Sequence, residues 1–153
     1  MFSTVHANDA INTITRLLDI GIPPFLLGSC VNLVVAQRLI RTICSNCKEE
    51  YTPTATEFEL IQMPKGKVDS TTFYQGKGCS KCRYTGYKGR TAIDEILEVK
   101  QAIRKLIFDG ANEELIKVEA ESQGMTPLRE AGIEKIEEGI TTIQEVIRST
   151  VQD

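Results

Sequence analysis

The sequence has no strong excess of one charge, no basic and apolar leader, no internal repeat and no unbroken apolar run of membrane-spanning length. Each absence removes a class of function. With 18 basic and 21 acidic side chains the net charge is −3, too mild to imply a nucleic-acid or membrane partner by itself. The opening Met1-Phe2-Ser3-Thr4 carries no signal-like region, so export is not expected. The longest charge-free stretch, Ile20 to Gln37, is broken by Gly21, Pro23, Pro24 and Asn32, and reads as a buried helix with the turn that introduces it. What is present is a chain of 153 residues, 41% hydrophobic and 25% charged. That is the size of one domain, or of a small domain plus an appendage, with apolar material for a packed core.

Charge is unevenly spread. Residues 1–63 hold 4 basic and 6 acidic groups, residues 64–90 hold 7 basic groups against Asp69 alone, and residues 91–153 hold 7 basic and 14 acidic groups. Three such stretches imply three structural parts, placed at 1–40, 41–91 and 92–153. In the first, Phe2 to His6 reads as the end of a strand, so Met1 is expected to lie within a longer protein. Asn8 or Asp9 can cap a helix carrying Ile11, Ile14, Leu17 and Leu18, Gly21 closes it, and Pro23-Pro24 open a second helix with Leu27, Val31, Val34 and Val35 inward. The second part is rich in Cys, Gly, Lys and Thr and needs something other than a hydrophobic core to hold it. The third begins with a strand, Thr91 to Val99, followed by short helices. Gly110, Gly124 and Gly139 stop these helices; Asn112, Thr126-Pro127 and the capping box Thr142-x-x-Glu145 start them. Ile103, Leu106, Ile107, Leu115, Ala120, Ile143, Val146 and Ile147 are expected to line one small helical core. The fold class is therefore α/β and mostly helical.

Cys44-Ser45-Asn46-Cys47 and Cys79-Ser80-Lys81-Cys82 are two Cys-x-x-Cys pairs separated by 31 residues. A two-residue gap lets both thiolates of a pair face one ion, and two such knuckles complete a tetrahedron. The metal-binding free energy then folds a segment poor in apolar residues. Disulfides are disfavoured by the odd count of 5 cysteines and the missing leader, and a redox dithiol needs only one pair. Iron is the remaining competitor, since rubredoxins hold it between two such pairs and four sulfurs suit both metals. Nothing in this chain resembles the aromatic-rich rubredoxin body, so structural Zn2+ is the preferred reading, with no coordination position left for a substrate. Cys30, on the apolar second helix, is expected to be a small buried hydrophobe.

His6 is the sole histidine. It lies in Ser3-Thr4-Val5-His6-Ala7-Asn8-Asp9-Ala10, followed by Thr15-Arg16-Leu17-Leu18-Asp19-Ile20-Gly21, which resembles the histidine-box region of the ATPases of type II secretion (general secretion pathway protein E) and type IV pilus assembly. The resemblance continues in order through Ala36 to Arg41, the two cysteine knuckles with Gly78, and Gly86-Tyr87-Lys88-Gly89-Arg90. It ends on Gly124-Met125, Leu128 to Gly132, and Gly139 to Thr142 with Glu145-Val146.

The resemblance implies a hexameric ATPase with a RecA-like P-loop NTPase core, working with ATP and Mg2+ on platform proteins of the inner membrane. The family's phosphate grip is a Gly-x-x-x-x-Gly-Lys-Ser/Thr loop. Here Gly66-Lys67 and Gly76-Lys77 lack both the following Ser/Thr and the earlier glycine, and Ile93-Asp94-Glu95 falls out of order for a magnesium-binding strand end. The chain is thus expected to be the carboxy-terminal portion of such a motor, inactive alone, cytoplasmic, peripheral to the inner membrane through partners, and monomeric as a fragment. By resemblance His6 is the catalytic candidate near the γ-phosphate, oriented by Thr4 and Asn8; Arg38 and Arg41 contact phosphate or a neighbouring subunit, or form surface ion pairs. The basic segment Lys65 to Arg90, with Phe73, Tyr74, Tyr84 and Tyr87 interleaved, is a solvated face, a protein-docking surface or a nucleic-acid binder, the last least expected. The alternative to the motor is a stand-alone zinc-stabilised module that binds protein or nucleic acid.

Overall fold

The computed structural model describes residues 3–150, which hold eight α-helices and four β-strands. They form two compact units. One comprises the residues up to Gln37 together with Asp94–Leu128; the other comprises Arg38–Ile93 and the residues from Arg129 on. Among the described residues no helix is long and apolar enough to cross a membrane.

In the first unit, α1 (Ala10–Asp19) starts because the Asp9 carboxylate accepts the Asn12 N–H at 2.7 Å, and it stops where Gly21 takes φ +93°. Helix α2 (Pro24–Cys30) opens on proline at its first position, as the pattern predicts, but is only seven residues long. The apolar run after it is a strand, β1 (Leu33–Ile43), and not the rest of a buried helix. The β-branched residues at 31, 34 and 35 favour that extended backbone, and strand alternation buries Val34 while leaving Val35 exposed. Cys30 ends α2 in an exposed position, so the expected burial is corrected: the buried residues of α2 are Leu27 and Gly28, and its last two residues face solvent.

The predicted second strand is β4 (Tyr87–Glu98), longer at its start than expected, and it pairs with β1. The Val99 N–H meets the Asn32 carbonyl and the Cys44 N–H meets the Gly86 carbonyl, both at 2.9 Å, so the two strands run antiparallel. In the first unit α5 (Gln101–Phe108) and α6 (Glu113–Ser122) close over Ile11, Ile14, Val34, Leu97, Ile103 and Ile107. Along α6 the buried residues are Ile116 and Ala120, one helical turn apart, while Leu115 is 53% exposed, a shift of one residue from the expected face. The inward row of β4 also contains a carboxylate. Glu95 is 4% exposed and accepts the N–H groups of Ala10 at 2.8 Å and Leu128 at 3.2 Å.

The second unit has its own apolar core, contrary to expectation. Between β2 (Lys48–Glu50) and β3 (Tyr74–Gly76) the chain forms α3 (Ala55–Ile61) and α4 (Lys65–Ser70), and Ile61, Met63 and Phe73 are buried. They pack with Ile133 and Ile136 of α7 (Leu128–Glu137) and Ile143 and Val146 of α8 (Ile143–Thr150). The single helical core expected for the third part is therefore two clusters, one in each unit. Sequence order concealed this, because the segment between β2 and β3 supplies the apolar partners of α7 and α8.

Thr142 caps α8 by accepting the Glu145 N–H at 3.2 Å, but the reciprocal half of the predicted box is missing. Glu145 is 1% exposed and gives its carboxylate to the Arg41 guanidinium at 2.7 and 2.9 Å and to Arg148 at 2.6 Å. Its second oxygen also accepts the Arg41 N–H at 2.9 Å. Burial alone pushes this carboxyl up; the two guanidinia and the backbone N–H outweigh it and hold it at about 2, against an ordinary 4.5. The sign follows from linkage: a depressed carboxylate stabilises the fold above about pH 4.5 and loses that contribution as the pH falls towards about 2. Replacing Arg41 by Ala leaves this carboxylate with Arg148 and the residue-41 N–H alone, with an expected loss of about 2 kcal/mol in urea unfolding at pH 7. The difference between wild type and variant should narrow steadily below pH 4.5.

Candidate metal centre

Two short turns supply the four thiols, both anchored to the small β2–β3 ladder. β2 and β3 are antiparallel with Lys48 opposite Gly76, Glu49 opposite Gln75 and Glu50 opposite Tyr74. The ladder is extended at one end by the Lys77 N–H to the Cys47 carbonyl, and at the other by the Tyr51 N–H to the Phe73 carbonyl, each 3.0 Å. The first knuckle leaves β1 at Cys44 and turns so that the Cys47 N–H returns to the Cys44 carbonyl at 3.1 Å. The second is a 3-10 turn, Ser80–Cys82, after which Arg83 and Tyr84 both adopt left-handed backbone at φ +52° and +59°. That reversal lets the Tyr84 N–H reach the Cys79 carbonyl at 2.8 Å.

The two arms of the loop that carries the second knuckle approach so closely, on either side of Cys79–Cys82, that glycine is required on both. A Cβ on Gly76 would lie 2.0 Å from the Gly86 carbonyl oxygen, and one on Gly86 would lie 2.4 Å from that of Gly76. The Gly76 position carries no left-handed torsion, so its constraint is purely the close approach of two backbones.

The sulfurs of Cys44, Cys47, Cys79 and Cys82 all lie within 4.8 Å of one another. The Cys44–Cys79, Cys47–Cys82 and Cys79–Cys82 separations are 3.9, 3.8 and 3.7 Å. A tetrahedral ion with metal–sulfur bonds of about 2.3 Å places its sulfurs about 3.8 Å apart, so this donor set fits such an ion. The thiols are free, and Cys44 and Cys82 are buried. Burial pushes the Cys47 thiol up to about 12. At Cys82 burial acts the same way but is outweighed by the Cys79 and Gly86 backbone N–H groups, which hold it down to about 6. The Asn46 amide donates to the Cys79 sulfur at 3.4 Å, and the Cys79 N–H to the Cys82 sulfur at 3.2 Å. Such N–H groups orient and stabilise thiolates. The arrangement can hold one soft or borderline cation in a closed site; it presents no open position for a substrate.

The other candidates lie elsewhere. His6 is exposed and borders a cleft of about 210 Å³ formed with Asn8, Asn12, Thr15, Arg16 and Asp19 along the outer side of α1. Arg41 is committed to Glu145 and lies 4.0 Å over the Tyr87 ring, whose hydroxyl meets Thr142 at 2.7 Å. It is thus an internal ion pair of the second unit. In the basic segment Lys77 pairs with Glu49 and Lys67 with Glu137, while Tyr84 is 78% exposed on the cysteine knuckle. The strand-like segment expected at Phe2 to His6 has no regular structure from Ser3 on, and Phe2 falls outside the described residues.

The family model described as type II/IV secretion system protein matches residues 1–148. The chain belongs to this family. It is 39% identical to the type IV pilus assembly ATPase PilB of Myxococcus xanthus, over 100% of this chain and 27% of that protein. Against the type II secretion system ATPase E of Vibrio cholerae it is 40% identical, over 98% of this chain and 29% of that protein. The type II secretion system protein E of Pseudomonas aeruginosa is 39% identical, with 100% and 30% covered. The chain thus spans under a third of the length of these family members. The ordered resemblance read from the sequence is the same family.

The role of Gly76 was missed in the sequence, where Gly76-Lys77-Gly78 matters only as a failed phosphate loop; close backbone approach leaves no signal beyond the glycine itself. Gly76→Ala is expected to cost about 2–3 kcal/mol by forcing apart the two arms of the loop that holds Cys79 and Cys82. Gly66→Ala, with nothing within 4 Å of the new Cβ, is the control and should be neutral or slightly stabilising. Thermal unfolding of both variants, with metal content measured alongside, checks this: the first should lose metal and the second retain it.

Proposed function

We propose that this chain is the carboxy-terminal part of an ATPase that powers type II protein secretion or type IV pilus assembly. The observation that carries the proposal is the match along essentially the whole chain to proteins whose names state that activity. In this reading residues 1–40 end a RecA-like core, residues 41–91 are the zinc-binding module, and residues 92–153 are the carboxy-terminal strand and helices. ATP and Mg2+ are bound by parts of the complete protein that include a phosphate loop, which these 153 residues lack. The complete protein is a hexamer in the cytoplasm, held at the inner membrane by the platform proteins it drives.

Zn2+ is the metal assigned to Cys44, Cys47, Cys79 and Cys82, and when bound it supplies a cross-link between the two knuckles rather than a reaction centre. The sulfur spacing supports the assignment. Cys79→Ser is expected to abolish stoichiometric zinc, read by elemental analysis, and to lower the melting temperature of the second unit. Retained zinc with an unchanged melt overturns the bracing role.

His6 is the catalytic candidate, assigned to stabilise charge developing at the γ-phosphate. Its exposure beside a polar cleft supports access to a ligand. The test has two steps. The coding frame that contains this segment should include a Gly-x-x-x-x-Gly-Lys-Ser/Thr loop, and in the complete ATPase His6→Ala should lower turnover by roughly 10²-fold with zinc content unchanged. A frame without the loop favours a zinc-stabilised binding module instead.

A further inference from the structure

The out-of-order acidic residue at position 95 has no part in the metal centre, yet it is among the most buried charged groups of the first unit, at 4% exposure. Its two carboxylate oxygens have separate tasks. One accepts the N–H of Ala10, the first residue of α1, at 2.8 Å, and the other accepts the N–H of Leu128, the first residue of α7, at 3.2 Å. Each helix start offers N–H groups with no partner inside its own helix, and the positive end of each helix dipole favours a carboxylate there. Asp9 satisfies a different donor of α1, the Asn12 N–H. Glu95 is therefore a long-range tie, 85 residues away in sequence, on the first N–H of α1, alongside the local cap from Asp9.

His6 lies four residues before that point, in a segment without regular structure, and shares its cleft with Asn12, Arg16 and Asp19 on successive turns of α1. Residues 3–8 join the helix through its N-cap Asp9, next to the Ala10 N–H that Glu95 holds. We propose that Glu95 is the positioning residue for His6: by holding the first N–H of α1, it fixes the geometry with which the histidine segment lies against that helix. The proposal rests on the reading of His6 given above and extends it to a residue that touches no substrate.

The first test uses the full 153-residue chain. Glu95→Gln keeps the size but places an N–H2 group where one of two N–H donors needs an acceptor. Amide exchange at Ala10 should accelerate about 10-fold or more. The His6 imidazole resonances should shift, while Ile61 and Ile136 keep their protection. Unmoved His6 resonances overturn the proposal. If Glu95→Gln does not fold, Glu95→Asp retains the charge but is one methylene too short to reach both donors, and the same signals are read.

The second test uses the complete ATPase. Glu95→Gln should lower kcat about 10-fold with the KM for MgATP unchanged, and should cost nothing more once His6 is already Ala. Additive losses in the double variant overturn the proposal, because they mean that Glu95 acts on the fold and not through His6. If His6→Ala alone leaves turnover intact, the catalytic reading of His6 fails, and the resonance shift in the 153-residue chain decides the positioning on its own.

Discussion

The second unit depends on bringing two cysteine pairs, 31 residues apart, within 4.8 Å of each other at every sulfur. Closing that loop costs entropy, and assembling four thiols costs more wherever they ionise against one another. The β2–β3 ladder meets part of the first cost by aligning the two chain segments through Lys48–Glu50 and Tyr74–Gly76. Backbone N–H groups at Cys79 and Gly86 meet part of the second by stabilising charge on Cys82. The close contact of Gly76 on Gly86 pinches the loop that carries Cys79 and Cys82, and the Gly86 carbonyl accepts the Cys44 N–H from the first knuckle.

Both units contain a buried glutamate at a helix start, and their surroundings drive them in opposite directions. Glu145 faces two guanidinia, and its carboxyl is held at about 2. Glu95 has uncharged N–H donors for its hydrogen bonds; burial dominates and pushes its carboxyl up, with Asp9 adding to the effect and Lys117 opposing it. Neutral donors orient a carboxylate without fully repaying its lost hydration, whereas paired guanidinia do. Glu145 therefore belongs to stability across ordinary pH, tying α8 to β1. Glu95 belongs to geometry, joining the starts of two helices.

This division fits the place proposed for the chain in a longer ATPase. The first unit contains the histidine segment and the tie that orders it; the second contains a metal-sized thiol cage with an exposed aromatic and basic rim. The chemistry visible in this chain is a cluster of four thiols in one unit and buried carboxylates that hold helix-start and strand N–H groups in both.

Local chemistry determined a good deal by itself. Asp9 and Asn112 cap helices where the sequence places caps, Gly21, Gly110, Gly124 and Gly139 take left-handed torsions at helix ends, and the Cys-x-x-Cys spacing announces the thiol cage. These features depend on residues within a few positions of one another, so they survive without knowledge of the fold. The order of motifs likewise identified the family. Tertiary structure decided the rest: that the Val31–Val35 region becomes strand, that Cys30 is exposed, that Ile116 faces inward in place of Leu115, and that the helices after β4 divide between two cores. It also recruited Glu145 away from its capping box and Glu95 to the start of α1, through partners 104 and 85 residues distant. A buried carboxylate takes the strongest donors that packing brings within reach, and sequence spacing carries no record of which those are.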